Sequence, residues 1–365
     1  MRVLSISSSI SKPYLGPSVV AHNIMKGFIK IHKELEKNNV NMTFLSLNDT
    51  CNKEISDNIK IIGANLYPPV TFTGEIQAYL RKLTLKEKYD VVHSHSIYDL
   101  FPFLFTDTHT VFTLHGIYWR EKEFEKGLYP KIWLKLSEIR FRLYYPKLTK
   151  FVAISPYVLE EVNAKGFDVN NAAIIGNPVS DEFFEVKKSE ENIIFYPATL
   201  VPRKNQLGFL MAISIIQEEL KNYKIAFTAS GNPEYISMLK KFVKKNNLNV
   251  EFIGKVSYEE MPELYSKASI VALTSFQETL PMSVLEAMAS GTPVLASNIG
   301  GLKYLVKDSE TGFLVDPSNP KDIAEKLLIM AHDERLRARM GVKTKKEADT
   351  FRSENVAKKH LELYL

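Results

Sequence analysis

Two glutamates around a short apolar segment are the residues of this chain best placed to contact a ligand. Glu278 and Glu286 are separated by seven residues in the run QETLPMSVLEAMASGTPVLAS. Pro281 suits a first helical position and Gly291 suits a helix end, so the pattern predicts a helix over about 280–290. Glu286 then lies among apolar neighbours, where a carboxylate is unfavourable unless a hydrogen-bond donor reaches it. We interpret Glu286 as a ligand contact.

The start of this helix is predicted to bind an anion. The first amide groups of a helix have no helical acceptor, and they lie at the positive end of its dipole. The residues at this position are Thr279, Leu280, Pro281, Met282 and Ser283. A diphosphate would be stabilised there. Glu278, just outside the helix, is better suited to accept hydrogen bonds from the hydroxyl groups of a sugar or ribose.

This segment resembles the signature of the retaining glycosyltransferases of family 4, which have the GT-B fold. Members of that family carry two glutamates with this spacing, and the run EAMASGTPVLAS strengthens the match. The resemblance implies that Glu278 contacts the donor sugar and that Glu286 holds the nucleotide ribose. It also implies that the amides of 279–283 bind the diphosphate of the donor.

Other residues match the family near the ends of predicted strands. Gly16 in YLGPS resembles part of the family's glycine loop, with one glycine where the family has a pair; an ordinary turn is the alternative. His115 in VFTLHG occupies the position of a histidine that lies against the reacting sugar in the family. We regard His95 as a second candidate, and we expect His93 to be a core residue.

A pair of cations in YPATLVPRKNQ is expected to face the diphosphate and neutralise charge on the leaving group. Lys204 matches the family lysine, whereas Thr199 stands where the family usually has arginine. Arg203 either supplies the missing cation or is a solvated surface charge. A second departure lies in NIGGLKYL, where Tyr304 replaces the usual glutamate after Gly300 and Gly301.

The elements that position these residues alternate along the chain. Short apolar runs separated by amphipathic stretches predict parallel strands covered by helices. In the first half, strands are predicted at 3–7, 42–47, 91–93, 111–114, 151–154 and 173–175, and helices at 18–36, 74–88 and 156–164. A second series begins near Asn192. Residues 180–192, SDEFFEVKKSEEN, are rich in charge and are interpreted as a linker.

The predicted fold class is therefore α/β, with the two Rossmann-like, doubly wound parallel-sheet domains of the GT-B architecture facing a cleft. Residues 1–180 would form the acceptor domain and 181–349 the nucleotide-sugar donor domain. The resemblance, and not the pattern, assigns a C-terminal helix at about 350–365 to the first domain. Ligands in such sheets bind at the carboxyl ends of the strands.

Composition sets the outer limits. A length of 365 residues favours two domains, and a hydrophobic fraction of 45% is ordinary for a globular protein. The single cysteine, Cys51, excludes an internal disulfide framework and favours a reducing compartment. The net charge of +5 suits anionic substrates but not a nucleic-acid partner. We expect a cytoplasmic protein, because no apolar run could span a bilayer and MRVLSIS lacks the layout of a signal peptide.

Residues 127–150 combine aromatic and basic side chains at helical spacing. They contain Tyr129, Trp133, Tyr144 and Tyr145, the cations Lys131, Lys135, Arg140, Arg142, Lys147 and Lys150, and one acid, Glu138. Such a helix can rest on an anionic membrane, here the inner membrane face, and bring a lipid-linked acceptor to the site. The alternative is a packed amphipathic helix with a solvated basic face.

The residues and the resemblance together imply a retaining hexosyltransferase. It would move a sugar from a nucleoside diphosphate sugar to a hydroxyl of a glycan or lipid-linked acceptor. No D-x-D motif is present, so we expect neither a metal nor another cofactor. Two alternatives remain, a sugar-nucleotide epimerase of the same fold and a catalytically silent partner that binds nucleotide or glycan.

Overall fold

The structure is a computed structural model that describes residues 1–10, 16–66, 74–228 and 230–365. The chain divides into two compact units, Met1–Pro178 with Arg352–Leu365, and Val179–Phe351. The sequence analysis placed these two boundaries at 180 and 350, within two residues of the observed ones. No helix in these described ranges is long and apolar enough to cross a membrane.

The first unit is built on an eight-stranded sheet with the order β3-β4-β2-β1-β5-β6-β7-β8. Its strands are β1 (Arg2–Ser7), β2 (Asn41–Ser46), β3 (Lys53–Ser56), β4 (Ile59–Gly63), β5 (Val91–Ser94), β6 (His109–Leu114), β7 (Lys150–Ala153) and β8 (Ala172–Ile174). Neighbouring strands are parallel except for β3 and β4, which pair antiparallel. The strands at the centre are buried almost throughout, which is why they appear in the sequence as continuous apolar runs.

The antiparallel hairpin of β3 and β4 is a departure from the predicted all-parallel sheet. No strand was predicted between 48 and 90. The hairpin contains no long apolar run, and Lys53 and Glu54 are exposed in the structure. An edge strand needs to be buried on one side only, so its sequence does not carry the signal of a doubly covered strand.

Helices of the first unit precede or follow these strands. They are α1 (Gly16–Lys30), α2 (His32–Lys37), α3 (Gly74–Lys86), α4 (Tyr118–Phe124), α5 (Leu128–Tyr144) and α6 (Pro156–Ala164). The single helix predicted over 18–36 is two helices, because the backbone leaves helical geometry at Ile31, with φ −94° and ψ 22°. The buried side chain of Ile31 fixes this break against the core.

The second unit contains a six-stranded parallel sheet with the order β11-β10-β9-β12-β13-β14. Its strands are β9 (Ile193–Tyr196), β10 (Lys224–Phe227), β11 (Val250–Phe252), β12 (Ile270–Leu273), β13 (Val294–Ser297) and β14 (Gly312–Val315). Its helices are α7 (Asp181–Glu185), α8 (Gln206–Ile215), α9 (Pro233–Lys245), α10 (Met261–Lys267), α11 (Met282–Ala289), α12 (Leu302–Leu305), α13 (Pro320–His332) and α14 (Glu334–Ala348). The chain runs from β9 through β10 to the edge strand β11 and then crosses back to β12, which lies beside β9 at the centre of the sheet, as in doubly wound folds.

The interpretation of residues 180–192 as a linker was wrong. Helix α7 lies in this stretch and buries Phe183 and Phe184. Lys188 is also packed in the second unit, where its amine donates to the carbonyl of Ala268 and, at 2.8 Å, to Oγ1 of Thr292. Burial lowers the pKa of Lys188 to about 8. The charges that suggested a solvated linker therefore serve partly as internal hydrogen-bond donors.

The last helix, α15 (Ser353–Tyr364), packs on α1 of the first unit. Gly27 allows this close approach, because a Cβ at this position would lie 2.1 Å from the carbonyl oxygen of Ser353 and 2.9 Å from Cβ of Ala357. Tyr364 stacks on Phe28, with ring centroids 6.1 Å apart. The C-terminal segment is therefore an integral part of the first unit.

We expect Gly27→Ala to destabilise the first unit, although alanine favours helix more than glycine does. The added methyl group must displace backbone atoms of α15, and overpacking of this kind costs about 1–3 kcal/mol. Urea unfolding would measure the change in the free energy of unfolding. Gly74→Ala is the matched control, because a Cβ there meets no atom within 4 Å. Equal stability of the two variants would show that α1 and α15 separate without loss.

Candidate functional site

The predicted donor site lies at the carboxyl end of the second sheet, where three loops follow three adjacent strands. A 3₁₀ turn at Pro202–Lys204 follows β9, the loop with Glu278 follows β12, and the glycine pair Gly300–Gly301 follows β13. Main-chain hydrogen bonds join the loops, from Phe276 N to the carbonyl of Arg203 at 2.9 Å and from Gly301 N to the carbonyl of Glu278 at 3.0 Å.

Two buried side chains that the sequence analysis did not single out hold the 3₁₀ turn in place. The hydroxyl of Tyr196 donates to the carbonyl of Lys204 and accepts from Thr274 N at 2.9 Å. Asn205 adopts a left-handed conformation, with φ 54°, and its amide donates to the carbonyls of Thr274 at 2.9 Å and Pro317 at 2.7 Å. Asparagine tolerates this conformation better than most residues. The sequence signal that could have identified Tyr196 is its polar hydroxyl at the end of the otherwise apolar strand β9.

Glu278 is buried and lies beside both predicted cations. Its Oε1 is 2.5 Å from Nζ of Lys204, and its Oε2 is 3.9 Å from a guanidinium nitrogen of Arg203. Arg203 also donates to the carbonyl of Gln277 at 2.7 Å. Arg203 is therefore held against the loop of Glu278 and is not a fully solvated charge, while its role as a site cation stays a prediction. The three side chains form a compact group of two cations and one acid.

Glu286 lies inside α11 with the hydroxyl of Tyr265, on α10, donating to its Oε2 at 2.9 Å. Both side chains are buried. Burial raises the pKa of Glu286 to about 7, and the hydrogen bond from Tyr265 opposes this shift. A hydrogen-bond donor was expected for the buried carboxylate of Glu286, and the structure identifies it as Tyr265. Sequence reasoning missed Tyr265 because the two residues are distant along the chain.

Helix α11 is shorter than predicted and begins after Pro281 instead of at it. Pro281 is extended, with φ −71° and ψ 127°, and its carbonyl accepts from Val284 and Leu285 at 3.2 and 3.3 Å. The amides of Met282 and Ser283 precede these first helical bonds. Since proline has no N–H, the anion site predicted over 279–283 is centred on these two amides.

The positions where this chain departs from the family pattern lie in the same unit. Thr199 is exposed, and its carbonyl accepts from the amide of Gln206 at 3.0 Å. Tyr304 is 42% exposed, and Nζ of Lys303 lies 4.8 Å from the centre of its ring. Neither side chain restores the charge of the arginine or glutamate that the family has at its position.

Gly16, the single glycine of the predicted glycine loop, is the first residue of α1. A Cβ there would meet nothing within 4 Å, so packing in the described part of the chain does not demand glycine. The other loop residues named in the sequence analysis, Tyr14 and Leu15, lie outside the described residues.

Four histidines lie together in the first unit. His93 is buried between the hydroxyl of Tyr364 at 2.6 Å and Oγ1 of Thr113 at 2.7 Å, which fits the core role expected of it. Nδ1 of His95 lies 2.7 Å from Nε2 of His115, so one ring donates and the other accepts. The ring of His360, on α15, lies 5.1 Å from that of His93 at an interplanar angle of 37°; His360 was not singled out in the sequence.

These histidines are held as neutral rings. Burial lowers the pKa of His115 to about 4 and that of His360 to about 3, and it lowers the pKa of His95 well below its ordinary value. Across the residues that the structure describes, no group of three or more His, Cys, Asp or Glu side chains is placed to hold a metal. Metal independence itself stays a prediction.

Solved structures share the fold of this chain over its whole length. Sucrose-phosphate synthase from Thermosynechococcus elongatus matches with a TM-score of 0.79 at 17% identity, over 100% of this chain and 98% of its own. HepE from Anabaena, in complex with UDP, matches with a TM-score of 0.75 at 15% identity, over 99% of both chains. The two α/β units therefore have the GT-B fold, which confirms the predicted fold class.

Family models match two consecutive parts of the chain. The model described as Glycosyltransferase Family 4 covers residues 28–183, and the one described as Glycosyl transferases group 1 covers 180–347. The chain belongs to the GT-B glycosyltransferases of this group 1 and family 4 type. The resemblance to family 4 inferred from the two glutamates is confirmed, whereas the retaining mode stays a prediction.

Characterised and uncharacterised relatives match over part of their length. An uncharacterized glycosyltransferase of Methanocaldococcus jannaschii is 29% identical over 205 residues, 55% of each chain. A Campylobacter jejuni protein is 30% identical over 244 residues, 66% of this chain and 65% of its own. It is named as an alpha-1,4-N-acetyl-D-galactosaminyltransferase acting on a GalNAc-containing PP-undecaprenol saccharide. The matches span about half to two thirds of these relatives.

The raised pKa of Glu286 predicts a specific pH dependence of stability. Between about pH 4.5 and 7 the unfolded chain ionises this carboxyl group while the folded protein keeps it protonated, so stability falls as the pH rises through this window. Glu286→Gln removes the effect. We expect the free energy of unfolding of the variant, relative to the parent, to rise by on the order of 3 kcal/mol from pH 4.5 to 7.

Urea unfolding at several pH values measures this difference, in which the other titrating groups cancel. Glu259→Gln is the matched control, because Glu259 is exposed and its surroundings change little on unfolding. A difference between Glu286→Gln and the parent that stays flat with pH would contradict the prediction.

Proposed function

We propose that the protein transfers a sugar, with retention of anomeric configuration, from a nucleoside diphosphate sugar to a hydroxyl acceptor. The observation that carries this proposal is the group of Lys204, Arg203 and Glu278 at the carboxyl edge of the second sheet. Its cations suit a diphosphate and its acid suits sugar hydroxyls. The family to which the chain belongs gives the reaction class.

The donor diphosphate would lie at the start of α11. The amides of Met282 and Ser283 donate to its oxygens, and the helix dipole adds to the attraction. Lys204 and Arg203, which share Glu278, contribute charge from the neighbouring loop. When phosphate oxygens attract these cations, Glu278 becomes a stronger acceptor for the hydroxyls of the sugar.

Glu286 would accept hydrogen bonds from the ribose of the donor nucleotide. Its only hydrogen-bond donor recorded in the described structure is the phenol of Tyr265, so its carboxylate has acceptor capacity left over. Hydroxyl donors would stabilise the ionised form and lower the pKa of Glu286 from about 7. Binding of the nucleotide would therefore be accompanied by loss of a proton near neutral pH.

The reaction would proceed on one face of the sugar. The bond from the anomeric carbon to the diphosphate breaks with its electron pair going to phosphate oxygen, and the acceptor oxygen bonds to the same face. The acceptor proton passes to the departing phosphate. The protein contributes positioning and stabilisation of the leaving-group charge, from Lys204 and the α11 amides. No protein nucleophile and no metal are required.

His115 is assigned to the reacting face of the sugar, as the resemblance implies. Its hydrogen bond with His95 at 2.7 Å fixes the orientation of the ring. Its low pKa keeps the ring neutral at physiological pH. A neutral ring adds no repulsion beside a sugar that gains positive charge as the donor bond breaks.

The similar proteins suggest the first ligands to test. HepE has been solved with UDP-glucose, which makes UDP-sugars the first donors. The name of the Campylobacter relative includes PP-undecaprenol, which makes a lipid-linked saccharide the first acceptor class. A catalytically silent partner is the rival hypothesis, favoured by Thr199 and Tyr304 at positions where the family has charged residues.

The proposed reaction predicts slow donor hydrolysis, with water replacing the acceptor. A thermal-shift panel of nucleoside diphosphate sugars identifies the donor, since a ligand of the folded state raises stability. Proton NMR at early times should then show release of the sugar with the anomeric configuration of the donor. Glu278→Gln should lower the rate by about 10²-fold or more, whereas Glu259→Gln leaves it unchanged.

Each other outcome has a defined meaning. Release of the opposite anomer would refute retention, and a new sugar nucleotide would identify an epimerase. Donor binding without turnover, even with lipid-linked saccharides added, would support the silent partner.

A second prediction concerns Tyr196, whose hydroxyl holds the main chain of Lys204 in place. Tyr196→Phe leaves the buried amide of Thr274 and the carbonyl of Lys204 without this hydroxyl, so we expect about 1–3 kcal/mol lower stability and weaker donor binding. Tyr223→Phe is the matched control, because its buried hydroxyl donates to the carbonyl of Ala331 at 2.7 Å, away from these loops. Calorimetric titration with the donor should show a loss of affinity in Tyr196→Phe alone. Equal affinity in both variants would contradict the role of Tyr196.

A further inference from the structure

Helix α5 of the first unit turns a row of aliphatic side chains toward solvent. Leu128, Ile132, Leu136, Ile139 and Leu143 are 76%, 50%, 43%, 42% and 61% exposed. Their spacing of three or four residues places them on one face of the helix. We call these five residues the apolar stripe. Tyr129 and Trp133, also exposed, lie along one border of the stripe.

The opposite face of α5 packs inward although it carries polar groups. Besides Leu134 and Phe141 it buries Ser137 and Glu138. The Ser137 hydroxyl is hydrogen-bonded to the hydroxyl of Tyr98 at 2.6 Å. Glu138 is surrounded by cations, with Lys135 at 3.3 Å, Arg142 at 3.5 Å and Lys122 at 3.9 Å.

The alternative kept open for residues 127–150, a packed amphipathic helix with a solvated basic face, fits in part. Leu134 and Phe141 pack inward, and the side chains of Lys135 and Arg142 are about half exposed. The aliphatic residues of the apolar stripe are not packed in the unit and face solvent beside these cations. A continuous row of exposed aliphatic side chains is a mark of an interaction surface.

Positive charge borders the apolar stripe on both sides. At 100° per residue, Lys131, Lys135 and Arg142 lie along one edge and Arg140 along the other. The guanidinium of Arg140 rests 4.4 Å from the ring centre of Tyr98. Glu138 pairs with both Lys135 and Arg142, so it offsets one of the four positive charges. The border of the stripe on α5 therefore keeps a net positive charge.

We propose that the apolar stripe of α5 inserts into the interfacial region of a bilayer that contains anionic lipids, with the bordering cations on the lipid headgroups. A helix of 17 residues is about 25 Å long and would lie in the plane of the surface. A second copy of this chain is a poorer occupant, because pairing two stripes would bring like charges together. This proposal rests on the surface alone and does not depend on the proposed function.

Vesicle flotation with the full-length protein tests the proposal. We expect binding to phosphatidylcholine vesicles that contain about three in ten phosphatidylglycerol molecules, and several-fold less binding to pure phosphatidylcholine. Raising the salt concentration to about 0.5 M should weaken binding to the anionic vesicles, because it screens the headgroup charge. Absence of flotation with anionic vesicles at low salt would overturn the proposal.

Two variants separate the apolar and charged contributions. The double substitution Ile132→Glu, Ile139→Glu should lower the floated fraction by about tenfold, because it removes apolar insertion and adds repulsion. Lys131→Gln with Lys135→Gln should remove the preference for anionic over neutral vesicles. The matched control is Ile329→Glu with Val342→Glu, which changes two exposed aliphatic residues of the second unit. It should float like the parent.

Further measurements make the result unambiguous. The unfolding temperature of each variant should stay close to that of the parent, since the substituted side chains are exposed and Glu138 keeps Arg142 and Lys122 when Lys135 is replaced. Hydrolysis of a soluble donor should be unchanged in the stripe variants, so failure of flotation and failure of the proposed catalysis are distinguishable. If light scattering shows a dimer that the stripe variant dissolves, the stripe belongs to a second copy and the membrane proposal is wrong. Unchanged flotation of that variant would also overturn it.

Discussion

The ion pair of Lys204 and Glu278, in which the glutamate is buried and the lysine side chain is 15% exposed, is the interaction on which the rest of the candidate site depends. Taking two charges out of water is unfavourable unless their geometry is fixed and further hydrogen bonds support them. Main-chain bonds to the carbonyls of Arg203 and Glu278 supply that support, because they tie the loops after β9, β12 and β13 together. These three strands are neighbours in the sheet, so the strand order itself brings the charges into one place.

The two signature glutamates have the same chemistry in the sequence and different environments in the fold. Glu278 has an ammonium group at 2.5 Å, whereas Glu286 has a neutral phenol at 2.9 Å. Desolvation without a cation explains why the pKa of Glu286 rises to about 7. One acid is therefore held in an ion pair that only another strong charge can disturb. The other is poised to change protonation when hydroxyl donors arrive, and such divergence is typical of acids with separate tasks.

The sequence alone predicted the strands that are buried on both faces. It did not predict contacts between residues that are distant along the chain. The strands predicted in the first half of the chain begin and end within two residues of their observed limits, because continuous apolar runs report burial on both faces. The hairpin of β3 and β4 has no such run, and the charges of 180–192 concealed α7. Tyr265 could not be paired with Glu286 from spacing, since only packing of α10 on α11 brings them together.

For helix α5, the sequence likewise could not show which face of the helix packs against the unit. A period of 3.6 residues establishes that aliphatic side chains share a face, but it does not say whether that face meets the core or the solvent. The choice depends on what the other face can bury at low cost. Ser137 finds the hydroxyl of Tyr98, and Glu138 finds three cations, so the polar face is satisfied inside the unit. Nothing in the described part of the unit then covers the apolar stripe, and contact with another apolar phase would remove it from water.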